Sequence, residues 1–256
     1  MTPVVTNAIP SETTGKWTGL RRACSFPVLL GALLVAGTFA ATSGGKFFAV
    51  GDTWWQVTAG RQILTTGVWP TSDIYSFTVP GNDWIAHEWL GDVVMAIAER
   101  LGGLRALAAL LAGLAATLML LLYYLAYLRS GNAKAAAAAC GLLLPVVTVF
   151  FTLRTQLLGY IFLVITLICL EKFRQGRQKA LWALPGVFLL WVNTHGTFLL
   201  GLALLGLYWV SGLFGFRVGC IAAERWSARQ RRQLATVFLL CTAVLPLTPY
   251  GSRLPA

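Results

Sequence analysis

The chain has 256 residues, 57% of them hydrophobic and 11% charged, with a formal net charge of +11. A soluble domain of this size carries about 25% charged residues, so the deficit excludes an ordinary soluble enzyme and points to a multipass membrane protein. In a soluble chain the positive charge would point to nucleic acid; its placement along this sequence excludes that reading in favour of membrane topology.

Residues 1–25 begin polar and rich in Thr and Pro and read as a disordered cytoplasmic tail. Lys16, Arg21 and Arg22 then precede an apolar run from Phe26 to Ser43. With Ala36, Ala40 and Ala41 near its end, that run would also suit a cleaved signal peptide. A retained anchor fits better, because six later apolar runs need a first crossing to set their parity. Those runs lie at about 104–128, 135–153, 155–170, 180–194, 197–216 and 233–249. A helix needs roughly 20 residues to cross the hydrocarbon, so the runs at 155–170 and 180–194 are short. Backbone amides in lipid must pair within the segment or in a closed barrel, and the strict alternation of barrel strands is absent. The expected fold is all-α, an integral membrane bundle of about seven transmembrane helices occupying residues 26–251, with a C-terminal end at 252–256. Because the chain stops just past the last run, it reads as a fragment or a shortened relative of a longer protein.

Residues 44–103 form the first outer loop. Between Gly51 and Asp92 lie five of the nine acidic residues (Asp52, Asp73, Asp83, Glu88 and Asp92) and five of the ten tryptophans. Trp54, Trp55, Val57, Ile63 and Leu64 have rough helical spacing until Gly67 and Pro70 stop the run. Trp89, Leu90, Val93, Val94, Ile97 and Leu101 make a second stripe after the turn at Pro80-Gly81-Asn82. Two amphipathic surface helices are therefore expected, flat on the outer leaflet and joined by an extended stretch around Asp73 to Thr78. Asp73, Asp83 and Asp92 read as turn or cap residues.

With the N-terminus inside, fourteen of the twenty basic residues fall on the cytoplasmic side, against Glu12, Glu171 and Glu224. The outer side holds six basic and six acidic residues, which is the positive-inside pattern. The basic loops set topology and meet anionic lipid. All five cysteines (Cys24, Cys140, Cys169, Cys220, Cys241) lie in apolar runs or on the cytoplasmic side, with no metal-binding spacing.

The polar residues at the ends of the apolar runs gather on the outer side. Asp52 follows the first run, and His87 and Glu88 open the second surface helix. Arg154 and Gln156 occupy one short outer turn, and Asn193, Thr194 and His195 another; Tyr250 and Arg253 follow the last run. Taken singly they have bland explanations. Arg154 could snorkel, Asp52 could cap a helix beside the belt anchors Trp54 and Trp55, and Asn193 could simply end a helix. As a set they suit an anionic lipid-phosphate substrate: Arg154 can pair with phosphate, a histidine adds a donor, and Asp52 or Glu88 can act as general base. No GxGxxG, Walker loop, GxSxG or HExxH motif supports nucleotide, acyl or zinc-protease chemistry.

The strings DTWWQVTAGRQIL, GVWPTSDIYSFT and WIAHEWLGD, followed by RTQ and WVNTHGTF, resemble a largely uncharacterised group of bacterial membrane proteins. That group lies in the superfamily of GT-C-fold, polyprenyl-phosphate-sugar-dependent membrane glycosyltransferases. The resemblance covers roughly Phe26 to Gly251. It implies sugar transfer from a polyprenyl-phosphate donor to an acceptor hydroxyl at the outer face of a bacterial inner membrane. By position, the resemblance implies Asp52 as the catalytic base, with Glu88 the other candidate, and places Arg154 where a cation holds the lipid phosphate; the residue pattern itself adds His87, His195, Asn193, Gln156, Trp54 and Trp55 as substrate-binding candidates. No cofactor is implied, there is no DxD string, and a need for divalent metal is left open. Gln56, where that group often has histidine, and Thr155, where it often has proline, depart from the pattern. Two other function classes compete: a lipid-linked substrate transporter or flippase, and a non-catalytic membrane scaffold subunit. The transporter would need polar groups at mid-membrane depth, and the middles of the runs are almost purely apolar.

Overall fold

The computed structural model describes residues 25–43, 50–78, 80–219, 221–223 and 225–254. The tail expected over residues 1–25 lies outside the described residues except for Ser25, as do Pro255 and Ala256 at the far end.

The helices are α1 (Phe26–Thr42), α2 (Gly51–Thr66), α3 (Trp89–Ser130), α4 (Ala133–Val147), α5 (Gln156–Arg174), α6 (Leu184–Val192), α7 (Phe198–Ser211) and α8 (Ala228–Ala243). Single 3-10 turns cover Thr148–Phe150, Gln178–Ala183 and Gly251–Arg253. Each apolar run of the sequence is helical over most of its length. Among the described residues, two strands form a short antiparallel hairpin of β1 (Phe216–Val218) and β2 (Ile221–Ala223), with Gly219 after β1 at φ +59°. The run read as 197–216 therefore stops being helical at Ser211.

Three helices are long and apolar enough to cross a membrane: α3, α4 with the turn that extends it to Phe150, and α5. The helical stretches at Phe26–Thr42, Gln178–Val192 and Phe198–Ser211 are apolar but only 10–17 residues long. The described residues thus form a helical bundle in which three helices have the length and apolar character of full spans.

α3 is two helices joined at Gly102 and Gly103, the second with φ 57° and ψ −142°, a backbone state that glycine adopts without penalty. The part before the kink covers the second helix expected in the loop; the part after it is the apolar run read at 104–128. α2 covers the first helix expected in that loop, and it ends at Gly67 in the left-handed region as the sequence indicates. The two cross closely. A Cβ on Gly60 would stand 2.1 Å from the Asp92 carbonyl oxygen, so only glycine allows the approach.

Between them the chain is not extended. Asp73 N donates to Asn82 O and Gly81 N to Asp73 O, both at 2.7 Å, and Ser72 bridges Asp83, closing a tongue. Asp73 takes the turn role read for it, its Oδ1 accepting from Tyr75 N and Ser76 N at 2.9 Å. Trp84 is held edge-on by Trp55 and Tyr75 at 5.8 and 5.6 Å.

α5 joins two cores. Its first half packs Leu157, Ile161 and Val164 with Leu107, Leu111 and Met119 of α3 and Cys140 of α4. Its last turn packs Leu170 and Phe173 with Leu184, Phe188 and Trp191 of α6, Leu205 of α7 and Val237 of α8. Outward faces carry exposed Leu33, Leu142, Leu199, Leu207 and Leu239. Lipid solvates such faces, so close packing rather than water exclusion holds spans together. Cys140, Cys169 and Cys241 are free and buried.

Candidate functional site

Four stretches distant in sequence meet at the start of α5. The Thr53 hydroxyl, fully buried on the first turn of α2, donates to Leu153 O at 2.7 Å and ties that helix to the turn before α5. Leu90 N donates to Asn193 O at 3.0 Å, fixing the N-terminus of α3 on the turn after α6. Gly91 allows α3 to sit against Thr155, whose Cγ2 would lie 2.4 Å from a Cβ there. Tyr250 closes the arrangement, its hydroxyl accepting from Ala86 N at 3.2 Å and donating to Pro70 O at 2.8 Å.

Glu88 sits at the centre, its side chain 9% exposed. Oε2 accepts from Gln56 Nε2 and from the Thr155 hydroxyl, each at 2.5 Å. Oε1 faces His195 Nε2 at 3.1 Å and His87 Nε2 at 3.6 Å. The His195 Nδ1 accepts from Thr197 N at 3.1 Å, so in the neutral ring the proton is on Nε2 and is donated to Glu88. Burial alone would push Glu88 up, but hydrogen bonds from His87 and Thr155 and the potential of both histidines outweigh it and hold the carboxyl below its ordinary value. His87 moves up, chiefly because it bonds Glu88. His195 moves down: burial disfavours its cation more than Glu88 favours it, and His87 and Arg154 push the same way. The carboxyl thus lies between an imidazole shifted down and locked by Thr197 and an outward one shifted up.

Beside this hub, Arg154 Nη2 pairs with Asp52 Oδ2, both side chains about 40% exposed. The Arg154 Nε–H is buried and has no hydrogen-bond partner among the described residues. Trp54, half-exposed, follows Asp52 on the same turn.

The other sequence candidates do different things. Asn193 is structural: Oδ1 accepts from Trp89 Nε1 at 2.7 Å, and Nδ2 donates to Leu189 O and Leu247 O. Gln156 Nε2 donates to the Tyr160 hydroxyl at 2.7 Å, one turn along α5 and away from Glu88. Trp55 belongs to the aromatic cluster around Trp84. Asp92, read as a cap, is instead fully buried, and neither carboxyl oxygen has a hydrogen-bond partner among the described residues. The close crossing of α2 over α3 at Gly60 covers it, which no local pattern foretells.

Sequence reasoning passed over Gln56 and Thr155 as ligands of Glu88. Gln56 had a signal, lying four residues from Asp52 on one face of α2. Thr155 had none beyond its adjacency to Arg154. Among the described residues no group of three or more His, Cys, Asp or Glu side chains is arranged to hold a metal ion. No family model, no curated protein and no solved structure matches this chain.

Proposed function

We propose that the chain is a membrane glycosyltransferase-like protein that moves a sugar from a polyprenyl-phosphate donor to an acceptor hydroxyl. In this reading it has about seven crossings, with its N-terminus cytoplasmic and its site on the outer rim of a bacterial inner membrane. The observation that carries the reading is the Asp52–Arg154 pair beside the Glu88 hub, with a buried guanidinium Nε–H that no atom of the described residues satisfies. A phosphate oxygen is the natural partner for that donor.

On this reading donor phosphate takes the Arg154 fork and displaces Asp52, whose carboxylate is then free. The acceptor oxygen attacks the anomeric carbon while Asp52 takes its proton. The bond from that carbon to the phosphate oxygen breaks, the electron pair leaves with the lipid phosphate, and Arg154 and protonated His87 neutralise the charge. Glu88, with both oxygens engaged, positions His87, His195 and the turn bearing Arg154. An apolar cleft of about 340 Å3, bounded by Leu118, Val147, Phe151, Tyr160 and Val164, opens two turns along α5 from Arg154 and suits the isoprenoid tail.

The test is transfer from a labelled polyprenyl-phosphate sugar by the reconstituted protein. Asp52→Asn is expected to lower turnover by about 10²–10⁴-fold, the usual worth of a general base, with expression unchanged. Arg154→Glu is expected to weaken donor binding more than it weakens folding. Wild-type turnover in Asp52→Asn would remove that residue from the role, and equal loss of binding and fold in Arg154→Glu would make Arg154 structural.

A further inference from the structure

The opposite end of α5 carries a second constellation. A pocket of about 520 Å3 is lined by Lys172, Gly176, Arg177, Gln178, Lys179 and Arg229 among others, and none of its lining residues is acidic. α5 has 19 residues, about 28 Å at 1.5 Å per residue, so this pocket and the Arg154 rim lie at opposite ends of one helix.

The cations are gathered from two elements and held in place. Gly176 turns the chain at φ +87° after α5, and Gln233 Nε2 of α8 donates to Gln178 O at 2.6 Å. The Phe173 and Trp226 rings stack at 4.7 Å. Ser227 and Gln230 cap α8 reciprocally, which fixes Arg229 in its first turn across from Arg177 and Lys179.

Among the described residues no acid balances their charge. Glu171, the acidic residue next to Lys172, is buried and engaged by Arg174 at 2.7 Å and Arg129 at 3.9 Å. Among the described residues none of the four pocket cations has a salt bridge, Lys172 resting over the Tyr124 ring at 5.1 Å; Glu224 lies outside the described residues. α8 also begins with Arg229, Arg231 and Arg232 and no acid, the reverse of what a helix N-terminus favours. An anion in the pocket would offset both the crowding of like charge and the unfavourable dipole. Arginine forks bind phosphate oxygens two at a time, and basic pockets beside spans seat phospholipid head groups.

We infer that this pocket is a second binding site, for a phosphate group carried by an anionic lipid or by a soluble phosphate ester. It stands independently of the transfer reaction. The experiment is native mass spectrometry of the full chain, released from detergent micelles containing phosphatidic acid or phosphatidylcholine, with inorganic phosphate as competitor. The wild type is expected to retain one phosphatidic acid in preference to phosphatidylcholine. Arg177→Gln/Lys179→Gln/Arg229→Gln together should lower that affinity at least tenfold. Arg217→Gln/Arg225→Gln/Arg232→Gln, which removes equal charge outside the pocket, should change it less than threefold. Arg229→Gln alone should lower it about threefold, which keeps the test if the triple variant misfolds. Competition by millimolar phosphate assigns the site to a soluble ester, and retention of phosphatidic acid against it assigns a head group. Equal loss in both triple variants, or no preference for phosphatidic acid and no competition by phosphate, overturns the inference.

Discussion

Glu88 holds four side chains around two oxygen atoms, and each of them loses a partner if it is removed. Hydrogen bonds to a buried charge are worth about 1.5–3 kcal/mol, and truncation leaves the remaining groups unsatisfied. Glu88→Ala is therefore expected to cost about 3 kcal/mol, read as a lowered Tm in detergent, whereas Glu88→Gln keeps acceptor and shape and costs less. A Tm unchanged in Glu88→Ala would mean the hub does not hold the turns together. The histidines give the hub a pH signature. His195 is lowered from 6.5, so its contribution is present above 6.5 and is lost as pH falls through that value towards its folded pKa. Glu88 is lowered from 4.5, and its contribution is lost below that range. His87 is raised from 6.5 and has the opposite sign: its contribution is full below 6.5 and is lost as pH rises through its folded pKa. Thermal melting from pH 4 to 8 should show the loss just below 6.5 disappear in His195→Gln and the loss just above it disappear in His87→Gln. Parallel profiles in all three proteins would exclude the assignment. Asp52, Glu88, His87, Arg154 and His195 were legible as a set because charge is scarce in this chain. Gln56 and Thr155 were not, because their role exists only once α2 and α5 lie side by side.

At the scale of elements, the crossing of α2 over α3 rests on one missing side chain. Gly60→Ala places a methyl 2.1 Å from the Asp92 carbonyl oxygen and 2.9 Å from Ala96 Cβ. Relieving a clash with backbone requires the helices to separate, so the cost is expected at about 1–3 kcal/mol in unfolding measurements. Gly113→Ala, also on α3 but with open space around its Cβ, is the control and should stabilise by up to about 1 kcal/mol. Equal effects at both positions would show that the contact is not tight. The apolar runs foretold the helices because a backbone in lipid has no other way to pair its amides. Element ends were harder. The Ser227–Gln230 capping box starts α8 five residues before its apolar run, a signal that hydropathy overlooks. Asp92 looked like a cap because it stands in a helix's first turn, yet the overlying α2 makes that turn interior.

For the molecule as a whole, α5 sets the axis, with Arg154 at one end and the basic pocket at the other. If α5 crosses the membrane, the two ends differ in accessibility. Ile74→Cys in the tongue, where the native side chain is 61% exposed, should react with an impermeant maleimide from outside intact cells. Arg177→Cys should react only after permeabilisation, in a background with Cys24 and Cys220 replaced by serine and the three buried cysteines retained. Labelling of both positions from the same side would mean that α5 does not span.

The sequence by itself determined a helical chain with helices apolar and long enough to cross a membrane and one long polar loop, because composition and hydropathy are properties of residues one at a time. Only the tertiary structure decided which acidic residue became the hub, which was buried and which paired with Arg154. Those outcomes depend on distances between segments up to about a hundred residues apart, set by glycine crossings and helix packing that leave no periodic trace along the chain.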